Sequence, residues 1–178
     1  MARRRFGVAL LVPDHVAVEV DGLRRALGDG ALGRIPAHLT LVPPVNVGED
    51  DVPRALSVLR QAAAATAPVD LRLGPAVTFA PVTPVVYLQV GGDLDAVHAL
   101  RERVFRPPFE RHLTHPFVPH VTIADEMVTE RIPAAVAALA DYVVDARVAE
   151  LTLLEEGRGR VWRPVADMAL TGRRPPGA

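Results

Sequence analysis

The chain of 178 residues has a formal net charge of −1, 49% hydrophobic residues and no cysteine, and all 20 of its positively charged residues are arginine. This length and apolar content suit one folded domain with a substantial core, and the lack of cysteine excludes disulfide bonds, a thiolate nucleophile and thiolate metal sites. The near-zero charge excludes the strongly basic surface of a general nucleic-acid binder, and no apolar run is long enough to cross a bilayer, so we expect a soluble, cytoplasmic protein.

The first half of the chain alternates strands and helices. Runs of Val, Ile and Leu that end at proline predict buried strands, and apolar residues recurring every three or four positions predict amphipathic helices. Asp14 is a predicted helix cap, and the acidic residues ahead of Pro53 mark a second helix start. Pro43-Pro44 is expected to stop one strand, and Gly74-Pro75 to form a turn between two others. The predicted elements are a strand at 6–12, a helix at 14–27, a strand at 37–42, a helix from the acidic residues 49–51 to about 66, and strands at 69–73 and 76–80.

The second half repeats this order. Asp93 is a predicted cap that begins a helix after a Gly91-Gly92 turn, and Pro107-Pro108 ends that helix. A loop that carries His112 and His115 follows. The predicted elements are a strand at 85–90, a helix from 93 to about 105, a strand at 117–124, a helix from 129 or 130 to about 142, and strands at 144–154 and 165–171 around a turn at 157–159.

The order strand, helix, strand, helix, strand therefore occurs twice. We expect an α+β fold of two pseudo-symmetric lobes made from this duplicated unit, with mainly antiparallel sheets flanking a central cleft. A parallel, doubly wound sheet would also fit the alternation, but it would not bring the two halves together as a pair. Residues 1–178 would then form a single bilobal domain, with a flexible tail from about residue 172 because Pro and Gly are frequent there.

The same pattern, a histidine, an apolar residue and a threonine, lies in one strand of each half, at His38-Leu39-Thr40 and at His120-Val121-Thr122. Side chains two apart in a strand point to the same face, so each strand presents an imidazole beside a hydroxyl while the apolar residue faces the core. One such motif is usually an ordinary half-exposed strand, but its recurrence in matching surroundings indicates a site. A third copy, His112-Leu113-Thr114, runs into His115-Pro116 and is predicted to be loop.

Two imidazoles that face one small site suit general acid–base catalysis. With an ordinary pKa of about 6.5, one ring can be neutral while the other is protonated near neutral pH. An in-line displacement at phosphorus needs a base on the side of the nucleophile and an acid on the side of the leaving oxygen. The hydroxyls of Thr40 and Thr122 could then donate to the non-bridging phosphate oxygens, and the scheme requires no metal ion or other cofactor.

The two motifs, the opening Arg5-Phe6-Gly7-Val8-Ala9-Leu10 with Pro13, and the duplicated order of elements resemble the two-histidine phosphoesterase superfamily. Its bacterial branch is labelled 2′-5′ RNA ligase-like or RNA 2′,3′-cyclic phosphodiesterase. The resemblance covers nearly the whole chain. A single motif is weak, whereas two motifs at this spacing are fairly specific.

The resemblance implies hydrolysis of a 2′,3′-cyclic phosphate without a metal ion, with reverse 2′-5′ RNA ligation as a further activity. It implies that His38 and His120 are catalytic and that Thr40 and Thr122 bind the phosphate. His120 would be the base that acts on water. His38 would be the acid that protonates the leaving 3′ oxygen, so that a 2′-phosphate remains.

The chain departs from the best-known members after the first motif, where it has Val42-Pro43-Pro44 in place of Phe-Leu-Gly. The superfamily also includes enzymes that act on small cyclic nucleotides and other phosphodiesters, so cyclic-phosphate RNA ends and cyclic nucleotides are both expected partners. We expect a monomer that has no membrane partner. Further candidate substrate contacts, for which a solvated loop or core packing is the commoner fate, are Arg34, Arg158 and Arg160 for phosphate and Trp162 or Phe109 for base stacking.

Two rival functions stay open at this point. A metallohydrolase could use His112, His115 and His120 as ligands, although no His-Glu-x-x-His helix or carboxylate cluster accompanies them. A non-catalytic RNA or nucleotide binder would use the same pocket as the enzyme. Sensitivity to chelators would indicate the first rival, and binding without product would indicate the second.

Overall fold

Eight strands form one antiparallel sheet in the computed structural model, which describes residues 2–174. The strands are β1 (Arg3–Leu11), β2 (His38–Gly48), β3 (Val69–Thr78), β4 (Val86–Gly92), β5 (His120–Ala124), β6 (Val144–Val148), β7 (Glu150–Glu156) and β8 (Trp162–Ala169). Their order across the sheet is β6-β3-β4-β5-β2-β1-β7-β8. The strands β2 and β5 therefore meet at the centre of the sheet.

Four α-helices pack against this sheet in the described part of the chain: α1 (Asp14–Leu27), α2 (Val52–Ala64), α3 (Leu94–Val104) and α4 (Ile132–Ala138). Their apolar stripes and one face of the strands form a continuous hydrophobic core. Over residues 38–41 of β2 and 120–123 of β5, the residues in this core alternate with half-exposed polar ones. The opposite face of the two central strands is therefore polar.

The expected duplication accounts for this arrangement, and the predicted α+β, mainly antiparallel fold is confirmed. Each half of the sheet holds four strands, β6-β3-β4-β5 on one side and β2-β1-β7-β8 on the other. The halves exchange strands, because β3 comes from the first half of the chain but pairs with β4, while β7 comes from the second half and pairs with β1. The two groups of strands join as one sheet through the β2–β5 pair.

The expectation that Pro43-Pro44 stops the strand of the first His-x-Thr motif is wrong, since β2 continues through both prolines to Gly48. Phe6 pairs with Val45 and Val8 pairs with Val42, so two residues of β2 lie opposite Gly7 alone. This is a β-bulge, where a missing backbone N–H is tolerated because the ladder is already interrupted.

The predicted turn at Gly74-Pro75 is likewise a bulge inside one strand, β3. The ladder with β4 skips from Leu73 to Ala76, which leaves one extra residue on β3. Gly74 has φ of 114°, and a Cβ on it would lie 2.0 Å from the carbonyl oxygen of Tyr142. Only glycine fits this close approach without a shift of the backbone.

The single strand predicted at 144–154 is two strands, β6 and β7, separated at Ala149. The first pairs with β3 at one edge of the sheet, and the second pairs with β1 in the other half. The local sequence of 144–154 does not reveal this change of partner, because both pieces have the same β-forming character. The remaining elements lie close to their predicted positions.

Neither predicted aspartate cap makes a capping hydrogen bond. Asp14 is the first residue of α1, and the preceding Pro13 occupies the cap position without a side-chain bond. Asp93 does precede α3, but its carboxylate accepts a hydrogen bond from the backbone N–H of Asp70 on β3, at 2.9 Å. None of the helices among residues 2–174 is long and apolar enough to cross a membrane.

The start of the predicted flexible tail contacts the rest of the molecule. The backbone N–H of Gly172 donates to the carbonyl oxygen of Thr66 at 2.9 Å. Arg174 forms ion pairs with Asp70 at 2.8 Å and with Asp93 at 2.5 Å. The rest of that predicted tail, residues 175–178, lies outside the described residues.

Candidate functional site

The two His-x-Thr motifs lie side by side on β2 and β5, which we call the histidine strands. Leu39 and Val121, the middle residues of the motifs, are opposite each other in the antiparallel ladder. Both are 1% exposed, so their side chains lie in the core. The alternation of a strand then places the imidazole and hydroxyl groups of both motifs on the opposite face, where we define the cleft.

The antiparallel register also determines which polar groups are neighbours. With Leu39 opposite Val121, the adjacent cross-strand positions set His38 against Thr122 and Thr40 against His120. Each imidazole therefore has the hydroxyl of the other strand beside it. A tetrahedral anion above the ladder would meet two imidazoles on one diagonal and two hydroxyls on the other.

Each histidine ring is oriented by its own backbone in the same way. The Nδ1 atom of His38 lies 2.7 Å from the carbonyl oxygen of Pro36, and Nδ1 of His120 lies 2.7 Å from the carbonyl oxygen of Val118. Because a carbonyl oxygen only accepts hydrogen bonds, Nδ1 must carry the proton in both rings. The neutral rings therefore have their lone pair on Nε2, the atom available for proton transfer.

The surroundings favour the neutral form of both histidines. The pKa of His38 is lowered from 6.5 to about 4, mainly by burial and to a smaller extent by nearby Arg24 and His120, whereas the bond to Pro36 and the charge of Asp29 act in the opposite direction. Burial also lowers the pKa of His120, against the effect of its bond to Val118. The mechanism inferred from the sequence assumed ordinary pKa values, with one ring neutral and the other protonated near neutral pH. In the structure both rings are instead uncharged near neutral pH in the free protein.

Two aromatic side chains that sequence reasoning missed surround His120. The rings of Phe79 and Tyr87 stack at a centroid distance of 4.1 Å, and each meets the His120 ring edge-on, at 5.1 and 5.4 Å. Tyr87 pairs directly with Thr122 across the β4–β5 ladder, which explains its place on the cleft face. The alternation of residues 85–90 contained a signal for Tyr87, but nothing local marks Phe79, which lies in the loop after β3.

A small cavity of about 100 Å³ adjoins the other histidine. Trp162, at the start of β8, forms part of its wall together with Gly7, Thr40 and His38. A Cβ on Gly7 would lie 3.5 Å from Cζ3 of the Trp162 ring, so the indole covers this part of β1. Of the further candidate contacts, Trp162 is thus brought next to a His-x-Thr motif.

Arg34 takes part in this arrangement through its backbone. Its carbonyl oxygen accepts a hydrogen bond from the N–H of Trp162 at 2.6 Å, which ties the loop before β2 to the β7–β8 hairpin. Its Nε atom donates to the carbonyl oxygen of Gly30 at 2.9 Å, so the guanidinium folds back onto its own loop. The structure therefore does not bring the Arg34 side chain to the histidines.

The other candidates have different surroundings. Arg158 and Arg160 are exposed in the short 3-10 turn between β7 and β8. Phe109 is fully buried in the hydrophobic core, so the suggestion that it stacks on a base is wrong. A large apolar residue in a Pro-flanked loop gives no local signal that separates a core anchor from an exposed ring.

The loop between α3 and β5 carries His112 and His115, and both side chains are exposed. Arg111 reaches from this loop to the rim of the cleft, where its Nη1 atom donates to the carbonyl oxygen of Pro44 at 2.5 Å. Across residues 2–174, no three His, Asp or Glu side chains are grouped as a metal ion would need. The histidines of the rival metal site therefore do not form a ligand set.

Comparison with known proteins identifies the family. The sequence model described as the 2′-5′ RNA ligase superfamily matches residues 12–160. A Bacillus pumilus protein is 32% identical over 123 residues, which is 69% of this chain and 71% of the relative. An Oceanobacillus iheyensis protein is 29% identical over the same shares of both chains. Both relatives carry the name "Putative phosphoesterase".

Solved structures share the fold at lower identity. Protein TT0787 of Thermus thermophilus has a TM-score of 0.66 at 20% identity, covering 96% of this chain and 100% of that one. Escherichia coli LigT without ligand has a TM-score of 0.65 at 23% identity, covering 96% and 99%. LigT has also been solved with 3′-AMP, with a TM-score of 0.62 at 18% identity and the same coverage, and with ATP and NADP+. The chain thus belongs to the 2′-5′ RNA ligase superfamily, the two-histidine phosphoesterases that its motifs resemble.

Proposed function

We propose that this phosphoesterase hydrolyses the 2′,3′-cyclic phosphate of RNA ends or of nucleotides to a 2′-phosphate, without a metal ion. The observation that carries the proposal is the matched pair of imidazoles on adjoining strands. Both have Nδ1 bonded to a carbonyl oxygen two residues earlier, so both direct Nε2 to the cleft beside a threonine hydroxyl. Two such groups on either side of one phosphorus atom are what an in-line displacement requires.

In this mechanism Nε2 of His120 accepts a proton from water as the water oxygen bonds to phosphorus. The bond from phosphorus to the 3′ oxygen breaks, and Nε2 of His38 donates a proton to that oxygen. The hydroxyls of Thr40 and Thr122 donate to the non-bridging oxygens, which carry most of the negative charge in the transition state. Exchange with solvent then returns each ring to its starting protonation state.

Because the pKa values of both histidines are lowered, the acid of this scheme becomes protonated only when the substrate binds. The free cleft holds two neutral rings near neutral pH, so the acid must gain its proton as the anionic diester arrives. A negative charge within a few ångströms raises the pKa of an imidazole. The substrate thereby generates the protonated acid that its own cleavage needs.

The aromatic groups beside the histidines support a nucleoside as the organic part of the substrate. Phe79 and Tyr87 adjoin His120, and Trp162 adjoins His38, so planar rings flank both ends of the proposed phosphate site. Rings of this kind stack on any base, which fits a substrate defined by its phosphate and not by its base. The nucleotides bound in LigT structures support the same ligand class.

Reverse ligation, a monomeric state and a cytoplasmic location stay predictions.

The proposal is tested with EDTA-treated protein and five substrates: the four 2′,3′-cyclic mononucleotides and a short RNA that ends in a 2′,3′-cyclic phosphate. Phosphorus NMR against 2′- and 3′-phosphate standards identifies the product. We expect a 2′-phosphate and activity that survives EDTA, because no step uses a metal ion. A pure 3′-phosphate would overturn the regiochemistry alone, whereas an even mixture would count against a rigid site.

Two other outcomes would overturn the proposed activity. Tight binding of the cyclic nucleotides with no product would indicate the non-catalytic binder. Loss of turnover on chelation, with recovery on addition of zinc or manganese, would indicate the metallohydrolase instead.

A further inference from the structure

A buried ion pair lies beside the loop that leads into the first histidine strand. Arg24, on α1, is 3% exposed, and its Nε atom donates to Oδ2 of Asp29 at 2.7 Å. The Asp29 side chain is 1% exposed, so the pair is almost completely removed from solvent. Nη1 of Arg24 also donates to Oδ1 of Asp21 at 2.9 Å. Both members are held by several hydrogen bonds, as a buried charge requires.

Arg24 also reaches the segment that orients His38. Its Nη1 atom donates to the carbonyl oxygen of Ile35 at 3.0 Å. Ile35 is joined to Pro36, whose own carbonyl oxygen holds Nδ1 of His38 at 2.7 Å. The proline ring restricts the backbone between these two carbonyl groups, so a restraint on the first also restricts the second. The guanidinium therefore acts on His38 through two consecutive residues.

Asp29 connects the same pair to the second histidine strand. Its Oδ1 atom accepts hydrogen bonds from the backbone N–H of Ala31 at 3.2 Å and from the backbone N–H of Asp125 at 3.3 Å. Asp125 directly follows β5, the strand that begins at His120. Because β2 and β5 are antiparallel, the start of one lies beside the end of the other. One buried ion pair thus contacts the approach to the first motif and the exit from the second.

We propose that Arg24 and Asp29 are positioning residues, which hold the Ile35–Pro36 segment and the end of β5 so that both imidazoles face one phosphate. The inference rests on the proposed function, since the groups it positions are the proposed acid and base. Buried ion pairs add little net stability, because the loss of hydration offsets most of the attraction. Their strength is directional, and two of the five hydrogen bonds of this pair, those with Ile35 and Asp125, reach the segments that flank the two histidine strands.

The second half of the molecule has a counterpart of Arg24. Arg101, on α3, is 7% exposed and lies with its guanidinium carbon 5.3 Å from the ring centroid of Phe117. Phe117 precedes His120 by three residues, as Ile35 precedes His38 by three. The helix before each histidine strand therefore has a buried arginine against the same point of the approach. Of these two arginines, only Arg24 donates a hydrogen bond to the approach segment. Substitutions at Arg24 are therefore the better test.

Two variants separate positioning from stability. Arg24→Lys keeps a positive charge opposite Asp29, but an ammonium group cannot bond Asp29 and the Ile35 carbonyl oxygen in the forked geometry of a guanidinium. Asp29→Asn keeps an acceptor for the Asp125 N–H but removes the charge that pairs with Arg24. Glu155→Gln is the control for loss of an ion pair elsewhere in the sheet, because Glu155 pairs with Arg4 at 2.6 Å and its cross-strand neighbours, Phe6 and Arg163, belong to neither motif.

The measurements are kcat, KM, thermal unfolding and the imidazole nitrogen chemical shifts of His38. We expect both variants to lower kcat about tenfold or more, since small displacements of catalytic groups have effects of that size. KM should change little, and the neutral His38 ring should show a mixture of tautomers in place of the Nδ1–H form alone. Glu155→Gln should match the wild type in all three activity and shift measurements.

Wild-type kcat and wild-type His38 shifts in folded Arg24→Lys protein would overturn the inference. An equal loss of kcat in Glu155→Gln would also overturn it, because the effect would then not depend on this pair. If the wild-type protein turns over none of the substrates, the proposed function fails, and the nitrogen shifts alone decide whether Arg24 orients His38.

Discussion

The orientation of each imidazole depends on a carbonyl group two residues away. The alternation of a strand predicts that His38 and His120 lie on the polar face, and both do. The bonds from Nδ1 to Pro36 and Val118 could not be predicted, because they depend on how the preceding loops turn back. The catalytic roles of His38 and His120 stay predictions.

A second consequence at the scale of single residues concerns Arg101. Its Nε atom has no hydrogen-bond partner among the described residues, although the guanidinium lies 3.5 Å above the Phe105 ring. Burial lowers the pKa of this arginine, which reflects the unfavourable transfer of its charge from water. A methionine at this position would keep most of the packing volume without the charge.

We therefore expect Arg101→Met to leave the free energy of unfolding within about 1 kcal/mol of the wild type or to raise it, as replacement of buried charges by apolar groups often does. Arg24→Met should instead lower it by about 3–5 kcal/mol, because Asp29 would be left as an unpaired buried charge. Urea denaturation measures both. An equal loss in the two variants would contradict this account of Arg101.

At the scale of strands and helices, sequence patterns located the elements but not all of their limits. Proline lacks a backbone donor, so Pro43-Pro44 was expected to end β2, and Gly74-Pro75 to end a strand as well. Both pairs lie in bulges, where the regular register with the partner strand is already interrupted. Whether such a pair stops or bends a strand is decided by its neighbour in the sheet, which local sequence does not contain.

The pairing of β2 with β5 also predicts how the rate depends on pH. The two imidazoles must share one proton in the reactive state, and burial lowers the pKa of both below 6.5, that of His38 to about 4. The singly protonated pair is then most abundant in the free protein at acidic pH. We expect a bell-shaped kcat/KM with its maximum below pH 6.5 and a decline as the pH rises through neutrality.

The profile of kcat should lie at higher pH than that of kcat/KM, because the bound phosphate anion raises both pKa values in the complex. Steady-state rates with a 2′,3′-cyclic mononucleotide measure both profiles, and the diester stays anionic throughout. A kcat/KM that rises steadily from pH 5 to 9 would indicate attack by hydroxide or by a metal-bound water.

For the molecule as a whole, the repeated order of elements predicted the duplicated α+β architecture, but not which strands pair. The exchange of β3 and β7 between the halves depends on contacts far apart in the sequence. The same limit applies to the cleft. Phe79 and Trp162 reach the histidines from loops and hairpins whose course is set by long-range packing.

The central claim about the whole molecule is that its two halves supply one histidine each to a single phosphate. We therefore expect the losses of rate caused by substituting His38 and by substituting His120 not to add, since groups that act as a unit lose most of their benefit when either is removed. Each of His38→Ala and His120→Ala should reduce kcat by about 10²–10⁴-fold with the fold intact. The double variant should then be little slower than the slower single variant.

The measurement that tests this most directly is single-turnover hydrolysis of a 2′,3′-cyclic mononucleotide by the wild type, the two single variants, the double variant and His112→Ala. His112 lies in the exposed loop between α3 and β5, so it controls for the loss of an imidazole outside the cleft. The account predicts severe losses at His38 and His120, no further loss in the double variant, and an unchanged rate for His112→Ala. Similar mild losses at all three histidines, or losses at the first two that multiply in the double variant, would contradict it.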